Sequence, residues 1–355
     1  MTLPTMHRRR FAQWAAAAVI PLPCAHAQGR RPYLGDMHSH VAMSRSNPRT
    51  LDLRQQLEQT GTTLLAWALV DDTPFTERTP HGIQQAREPG PGELWDYFRR
   101  RVARYDSHLR HWGLPKALSR ADVDAALAGR PHIVMASESA NFLEARPERV
   151  AEAHAMGLRH LQLVHFIESP LGDRQTSAPK HQGMTPVALK VIEECKRLGV
   201  LVDLAHCSPA FVNAAIGASD APMVWSHSWV RAGQSSWRDW PYVARALSHD
   251  QARRFAARGG VIGLWTARVK SDRNYQVRDA DSYADEIARM VDLLGPQAVA
   301  FGTDMDGAGK DPVLSQYGDL RQVADRLAQR NWSDATLHDV CIGNYARVLK
   351  TAMAA

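Results

Sequence analysis

Seven side chains in this sequence, five imidazoles and two carboxylates, are of the types that hold and use metal ions: His38, His40, Glu138, His165, His206, His227 and Asp304. His38 and His40 are two residues apart. On a strand such residues point to the same face, so both rings can reach one metal. His206 and His227 end the apolar runs Leu204-Ala205-His206 and Trp225-Ser226-His227. A single histidine so placed is ordinarily a hydrogen-bonded core residue, but two on successive runs, with the pair upstream, point to nitrogen ligands for a second metal. Glu138 follows Ile133-Val134-Met135-Ala136-Ser137. There it could bridge two metals at the roughly 3.5–4 Å spacing of two-metal hydrolases, or, more plainly, start a helix. Asp304, in Phe301-Gly302-Thr303-Asp304-Met305-Asp306-Gly307, can touch a metal and accept a proton from an attacking water. Asp306 beside Gly307 fits a loop-capping role. His165 is left without a metal partner and could donate a hydrogen bond to a developing oxyanion.

Eight short apolar runs must position these groups: Leu34–His40, Thr62–Val70, His132–Ser137, Leu158–Phe166, Val200–His206, Pro222–His227, Val261–Trp265 and Ala298–Asp304. Several are near-continuous, as strands covered on both faces are. Helical patterns alternate with them and carry boundary signals. Thr185-Pro186 opens one helix and Gly199 closes it; Ser208-Pro209 opens the next; Ser248 heads 249–258 before Gly259-Gly260. Ser119 with Asp122 forms a capping box. Eight strands with helical crossovers predict an α/β fold, a (β/α)8 TIM barrel whose active site gathers at the strand ends. One long insertion, at about 71–118, has a first part rich in Pro, Gly and charge and a second, 94–111, that reads as an amphipathic helix.

The chain has 355 residues, 45% of them hydrophobic and 23% charged, enough to bury one large core. Net charge is +6, but three of those charges are Arg8, Arg9 and Arg10 in an N-terminal segment without acids. The rest is spread without a basic block, which disfavours nucleic acid as a partner. Residues 1–27 read as an export signal: His7-Arg8-Arg9-Arg10-Phe11 resembles the twin-arginine motif, an apolar stretch follows, and Ala25-His26-Ala27 is a small-x-small cleavage site. The stretch is too short to span a bilayer, so the expectation is a periplasmic protein without a stable membrane anchor. Four cysteines, Cys24, Cys195, Cys207 and Cys341, offer neither a disulfide framework nor a CxxC motif, and Cys207 reads as a buried bystander.

These residues resemble the membrane dipeptidase (renal dipeptidase) family of zinc metallopeptidases over about Gly35 to Leu349. The resemblance is carried by Gly183-Met184-Thr185-Pro186 through Leu198-Gly199-Val200-Leu201-Val202-Asp203-Leu204-Ala205-His206, by Ala221-Pro222-Met223-Val224-Trp225-Ser226-His227-Ser228, by Gly302–Gly307 and by Gly343-Asn344-Tyr345-Ala346-Arg347-Val348. It implies a barrel with two zinc ions per chain bridged by Glu138, one bound by His38, residue 40 and Asp304, the other by His206 and His227. It implies that His165 binds substrate and the tetrahedral intermediate, that Arg245 holds the substrate's free carboxylate, and that the protein is a homodimer. The reaction implied is hydrolysis of a dipeptide by a metal-bridging hydroxide, including dipeptides with a C-terminal D-residue. Two features depart from the family pattern. His40 stands where an aspartate is usual, and Ser139-Ala140 follow Glu138 where glycines are common. An amidohydrolase acting on N-acyl amino acids, cyclic amides or lactones is the alternative. A non-catalytic exported binding protein is a further one, disfavoured by retention of Asp304 with every ligand.

Overall fold

The computed structural model describes residues 31–43, 51–80, 82–239, 242–273, 275–309 and 311–354, and residues 31–355 form one compact unit. The expected export signal and Cys24 lie outside the described residues. Eight parallel strands pair in chain order: β1 (Leu34–Ser39), β2 (Thr62–Val70), β3 (His132–Glu138), β4 (Leu158–Gln162), β5 (Leu201–Asp203), β6 (Met223–Ser228), β7 (Val261–Leu264) and β8 (Val299–Phe301). Hydrogen bonds from Asp304 N to His38 O and from His40 N to Met305 O, both 2.8 Å, bring the loop after β8 onto β1 and close the barrel. The buried Asp36 carboxylate locks this seam. It accepts from His38 N, Thr303 N, Thr303 Oγ1 and Tyr317 Oη at 2.6–3.2 Å.

The expected caps are in place. Thr185, Ser208 and Ser248 each accept a backbone N–H of the first helical turn, in the helices Pro186–Leu198, Pro209–Ala218 and His249–Ala257. Ser119 and Asp122 form a reciprocal capping box at the helix Arg120–Leu127. Gly199, at φ +77°, ends the helix that Thr185 caps, in a left-handed turn that costs glycine little.

Inward residues of the lower barrel, among them Met37, Leu64, Val134, Leu201, Val224 and Val261, form one cluster with Ile342, Tyr345, Ala346 and Leu349. The C-terminal helix (Asn344–Ala352) therefore stoppers one end of the barrel. Each large aliphatic side chain buried there stabilises the fold by about 1.5–3 kcal/mol. Just above, β6, β7 and β8 approach so closely that a Cβ at Gly302 would lie 1.6 Å from Ser226 O, and one at Gly263 1.9 Å from it. Only glycine fits, and the backbone under the site is set by that contact.

Five of the strands, β1, β4, β5, β7 and β8, are shorter than the apolar runs. His40, His165, His206 and Asp304 lie not on strands but in the loops directly after them. Apolar residues such as Leu163, Val164, Leu204 and Ala205 stay fully buried beyond the strand ends, so hydropathy cannot locate the exit. The insertion folds as a short antiparallel hairpin, Thr76–Thr79 with Gly82–Gln85, and a long helix, Glu93–Trp112. Phe98 of that helix stacks on Phe142 at 3.8 Å, and Tyr105 packs on Trp67 of β2. Cys195, Cys207 and Cys341 are free and buried.

Candidate active site

Glu138, the last residue of β3, is the hub. Its Oε2 lies 3.1 Å from His40 Nε2, while Oε1 lies 3.3 Å from His165 and His206 Nε2 and 3.5 Å from His38 and His227 Nε2. Asp304 Oδ1 is 3.2 Å from His40 Nε2. Two groups of metal-ligating atoms share Glu138, one with His38 and His40, the other with His206 and His227, each within 4.8 Å of one another.

The surrounding hydrogen bonds decide which imidazole nitrogen faces inward. His40 Nδ1 is 2.9 Å from Ala68 O, which assigns the proton to Nδ1 and the lone pair to Nε2. Ser226 Oγ lies 2.8 Å from His227 Nδ1 and 3.4 Å from His38 Nδ1, able to accept from both. Their Nε2 atoms are thereby left for a cation. Burial and Arg245 hold His206 well below the usual histidine range, and burial with His38 brings His227 to about 4, so both are neutral, as a metal ligand must be. Burial opposes ionisation of Glu138, yet His165, His38 and His40 hold it well below the carboxylate range. Against burial, Glu138 and Asp304 raise His40 to about 10, so its Nε2 binds positive charge strongly, a proton or, in its place, a metal ion. The donor set fits metal ions.

Backbone strain accompanies the chemistry. His206 (φ +67°), Asp304 (φ +55°) and Ser139 (φ +108°) are non-glycine residues in the left-handed half of conformational space, which costs of order 1–3 kcal/mol each. Ser139 thus occupies a turn whose geometry suits glycine. Gly307 is required for another reason, since a Cβ there would sit 2.1 Å from Asp304 Oδ1 and 2.5 Å from His40 Cδ2. Asp306 is a loop tie, its Oδ2 accepting from Ala42 N at 2.8 Å.

Three supporting residues are not marked in the sequence as site residues. Asp72, from the insertion, accepts from His165 Nδ1 at 2.8 Å and from Phe166 N and Ile167 N at 2.9 and 3.3 Å. Its place directly after β2, at the active end of a barrel, was the available signal. Trp265 Nε1 donates to Asp304 Oδ2 at 2.8 Å. Asp203 accepts from Ala205 N and Ser226 N, tying the His206 loop to β6. Arg245, which only the family resemblance singles out among the arginines of the sequence, is not a surface residue. It is 3% exposed, its guanidinium lies 4.6 Å over the Trp265 ring, and Nη2 donates to His227 O at 3.3 Å. Burial brings it down to about 10, and it still carries its charge at neutral pH.

Asp72 holds His165 without touching the other ligands. Alanine at Asp72 is therefore expected to lower kcat by about 10- to 100-fold while metal content, measured by mass spectrometry, stays at the wild-type value. Loss of metal in step with activity would make Asp72 a support of the whole cluster instead.

The family model for membrane dipeptidases (peptidase family M19) matches residues 54–355. Dipeptidase 3 of Macaca fascicularis is 25% identical over 266 residues, 73% of this chain and 51% of the relative. Dipeptidase aclJ of Aspergillus oryzae is 27% identical over 285 residues, 75% of this chain and 64% of the relative. The chain thus spans about half the length of the dipeptidase 3 protein. Among solved structures, a dipeptidase of family M19 superposes with a TM-score of 0.76 at 19% identity, covering 92% of this chain and 100% of that one. A Rhodobacter sphaeroides metallopeptidase, liganded with a phosphinate mimic of L-Ala-D-Ala, gives 0.73 at 19% identity, covering 90% and 99%. These structures share the barrel fold. With the match over 54–355, the chain belongs to the membrane dipeptidase family, peptidase family M19.

Proposed function

We propose that this protein is a dipeptidase that uses two zinc ions to hydrolyse the peptide bond of free dipeptides, those with a C-terminal D-residue included. The observation that carries the reading is Glu138, one carboxylate within 3.1–3.5 Å of five imidazole Nε2 atoms from four different strand ends. His38, His40, Glu138 and Asp304 would hold one ion, and Glu138, His206 and His227 the other. Bound zinc would polarise the substrate carbonyl and make a water acidic at neutral pH. The protein's own part is positional. Asp304, fixed by Trp265, takes the water's proton and returns it to the leaving amine. His165, held by Asp72, presents Nε2 to the developing oxyanion. Arg245 grips the substrate's terminal carboxylate, a task suited to a guanidinium.

The test is a panel of L-L and L-D dipeptides with N-acetylated and C-amidated versions of the best one. Cleavage confined to free dipeptides, with kcat/KM falling about 10- to 100-fold on Arg245→Ala, is expected. Cleavage of blocked substrates, or of none, would move the reading to N-acyl amino acids, cyclic amides or lactones, for which the His40 and Ser139 departures leave room. From residues 1–27 we further infer export to the periplasm, and from the family a homodimer. No helix among the described residues is long and apolar enough to cross a membrane. N-terminal sequencing of the exported protein and its sedimentation behaviour check these two inferences.

A further inference from the structure

Next to the histidine cluster lies a cavity of about 870 Å³ whose walls include Gln85, Phe166, Glu168, Arg174, Trp237 and Arg238. Phe166 is the wall it shares with the site, its ring 4.1 Å from the His165 ring and 5.2 Å from that of His206. Arg174 is anchored through its backbone, bridged to Cys207, and Gln175 N donates to His206 O at 2.8 Å. Its half-buried guanidinium makes no hydrogen bond or ion pair among the described residues.

The acids around Arg174 are already engaged. Asp72 is taken up by His165, Phe166 and Ile167, Asp173 by the N–H groups of Lys180, His181 and Gly183, and Glu168 by Lys180. Of the other arginines at the cavity, Arg87 is committed to Glu93 and Arg238 lies over the Trp237 ring. Arg238 is exposed, which leaves Arg174 as the half-buried arginine of the cavity with an unspent fork of donors among the described residues. Burial lowers its pKa below the ordinary arginine range, as for a cation short of a counter-ion.

Arg245 stands beside His227 and Trp265, whereas Arg174 stands beyond His206 and Phe166, with Glu138 between the two sides. A substrate whose carboxylate meets Arg245 and whose scissile bond lies over Glu138 directs its other end toward Arg174. We propose that this cavity receives the side chain of the substrate's N-terminal residue and that Arg174 makes it select a carboxylate there. This rests on the dipeptidase reading above.

The test compares kcat/KM for Glu-Ala and Gln-Ala, a ratio taken within each protein and so insensitive to losses common to both. The wild type should prefer Glu-Ala by about 10- to 100-fold, the effect of one charge-assisted hydrogen-bond pair. In Arg174→Gln the ratio should fall to about 1, and in Arg174→Glu Lys-Ala should become the better substrate. A wild-type ratio near 1, a ratio unchanged in Arg174→Gln, or a preference found only for Ala-Glu over Ala-Gln would overturn the proposal. Should no dipeptide be cleaved, the dipeptidase reading fails and glutarate titration decides this one. Heat of binding lost in Arg174→Gln supports the anion site, and equal or absent binding rejects it.

Discussion

Alanine at Glu138 is expected to abolish hydrolysis, with kcat/KM down by more than about 10³-fold, and to reduce bound metal to less than one equivalent per chain. No other residue belongs to both ligand groups. Its removal leaves five imidazoles around one remaining carboxylate, Asp304, which reaches only the His40 side. Alanine at His206 removes a single nitrogen donor from one group, so activity should vanish while about one metal is retained. Mass spectrometry on dialysed protein, paired with turnover of the best dipeptide, separates the two variants. Two metals and substantial activity surviving in the Glu138 variant would dismiss the shared-carboxylate arrangement.

Asparagine at Asp304 should cost about 10²- to 10⁴-fold in kcat with a smaller change in KM. The side chain is isosteric and its carbonyl can still accept from Trp265 Nε1, so shape and the indole contact survive. What is lost is the basic oxygen. Burial disfavours the charge on Asp304, but His40 and His227 hold its pKa below the usual aspartate value, so the wild-type group is ionised and able to take a proton at neutral pH. Metal content should fall by at most one equivalent, because Glu138, His206 and His227 are untouched. A kcat within tenfold of wild type would remove Asp304 from the proton path.

The two departures from the family pattern have physical counterparts. His40 brings a nitrogen to the place of a carboxylate oxygen, and Ala68 O fixes the tautomer that makes it a usable ligand. Ser139 keeps a φ of +108° where glycine would sit unstrained, and its Oγ accepts from Asn141 N at 3.0 Å. His40 thereby adds one of the five imidazole contacts to Glu138, and Ser139 leaves all five in place.

Much of this molecule was legible in the residues alone. The alternation of apolar runs with capped helices specified the barrel, because burial on both faces and the demands of helix ends are local and leave local marks. The ligands were visible for the same reason: in a barrel, function collects where strands end. Tertiary structure alone decided where each strand stops, since the residues directly past Gln162 and Asp203 remain apolar while the backbone turns out of the sheet, into left-handed geometry at His206. It alone brought Asp72 across 93 residues to His165, buried Arg245 against Trp265, and left Arg174 facing a cavity without a partner among the described residues. Periodicity records which side chains avoid water. It does not record which polar groups meet once the chain has closed, and here those meetings set the tautomers, the charges and the reach of the site.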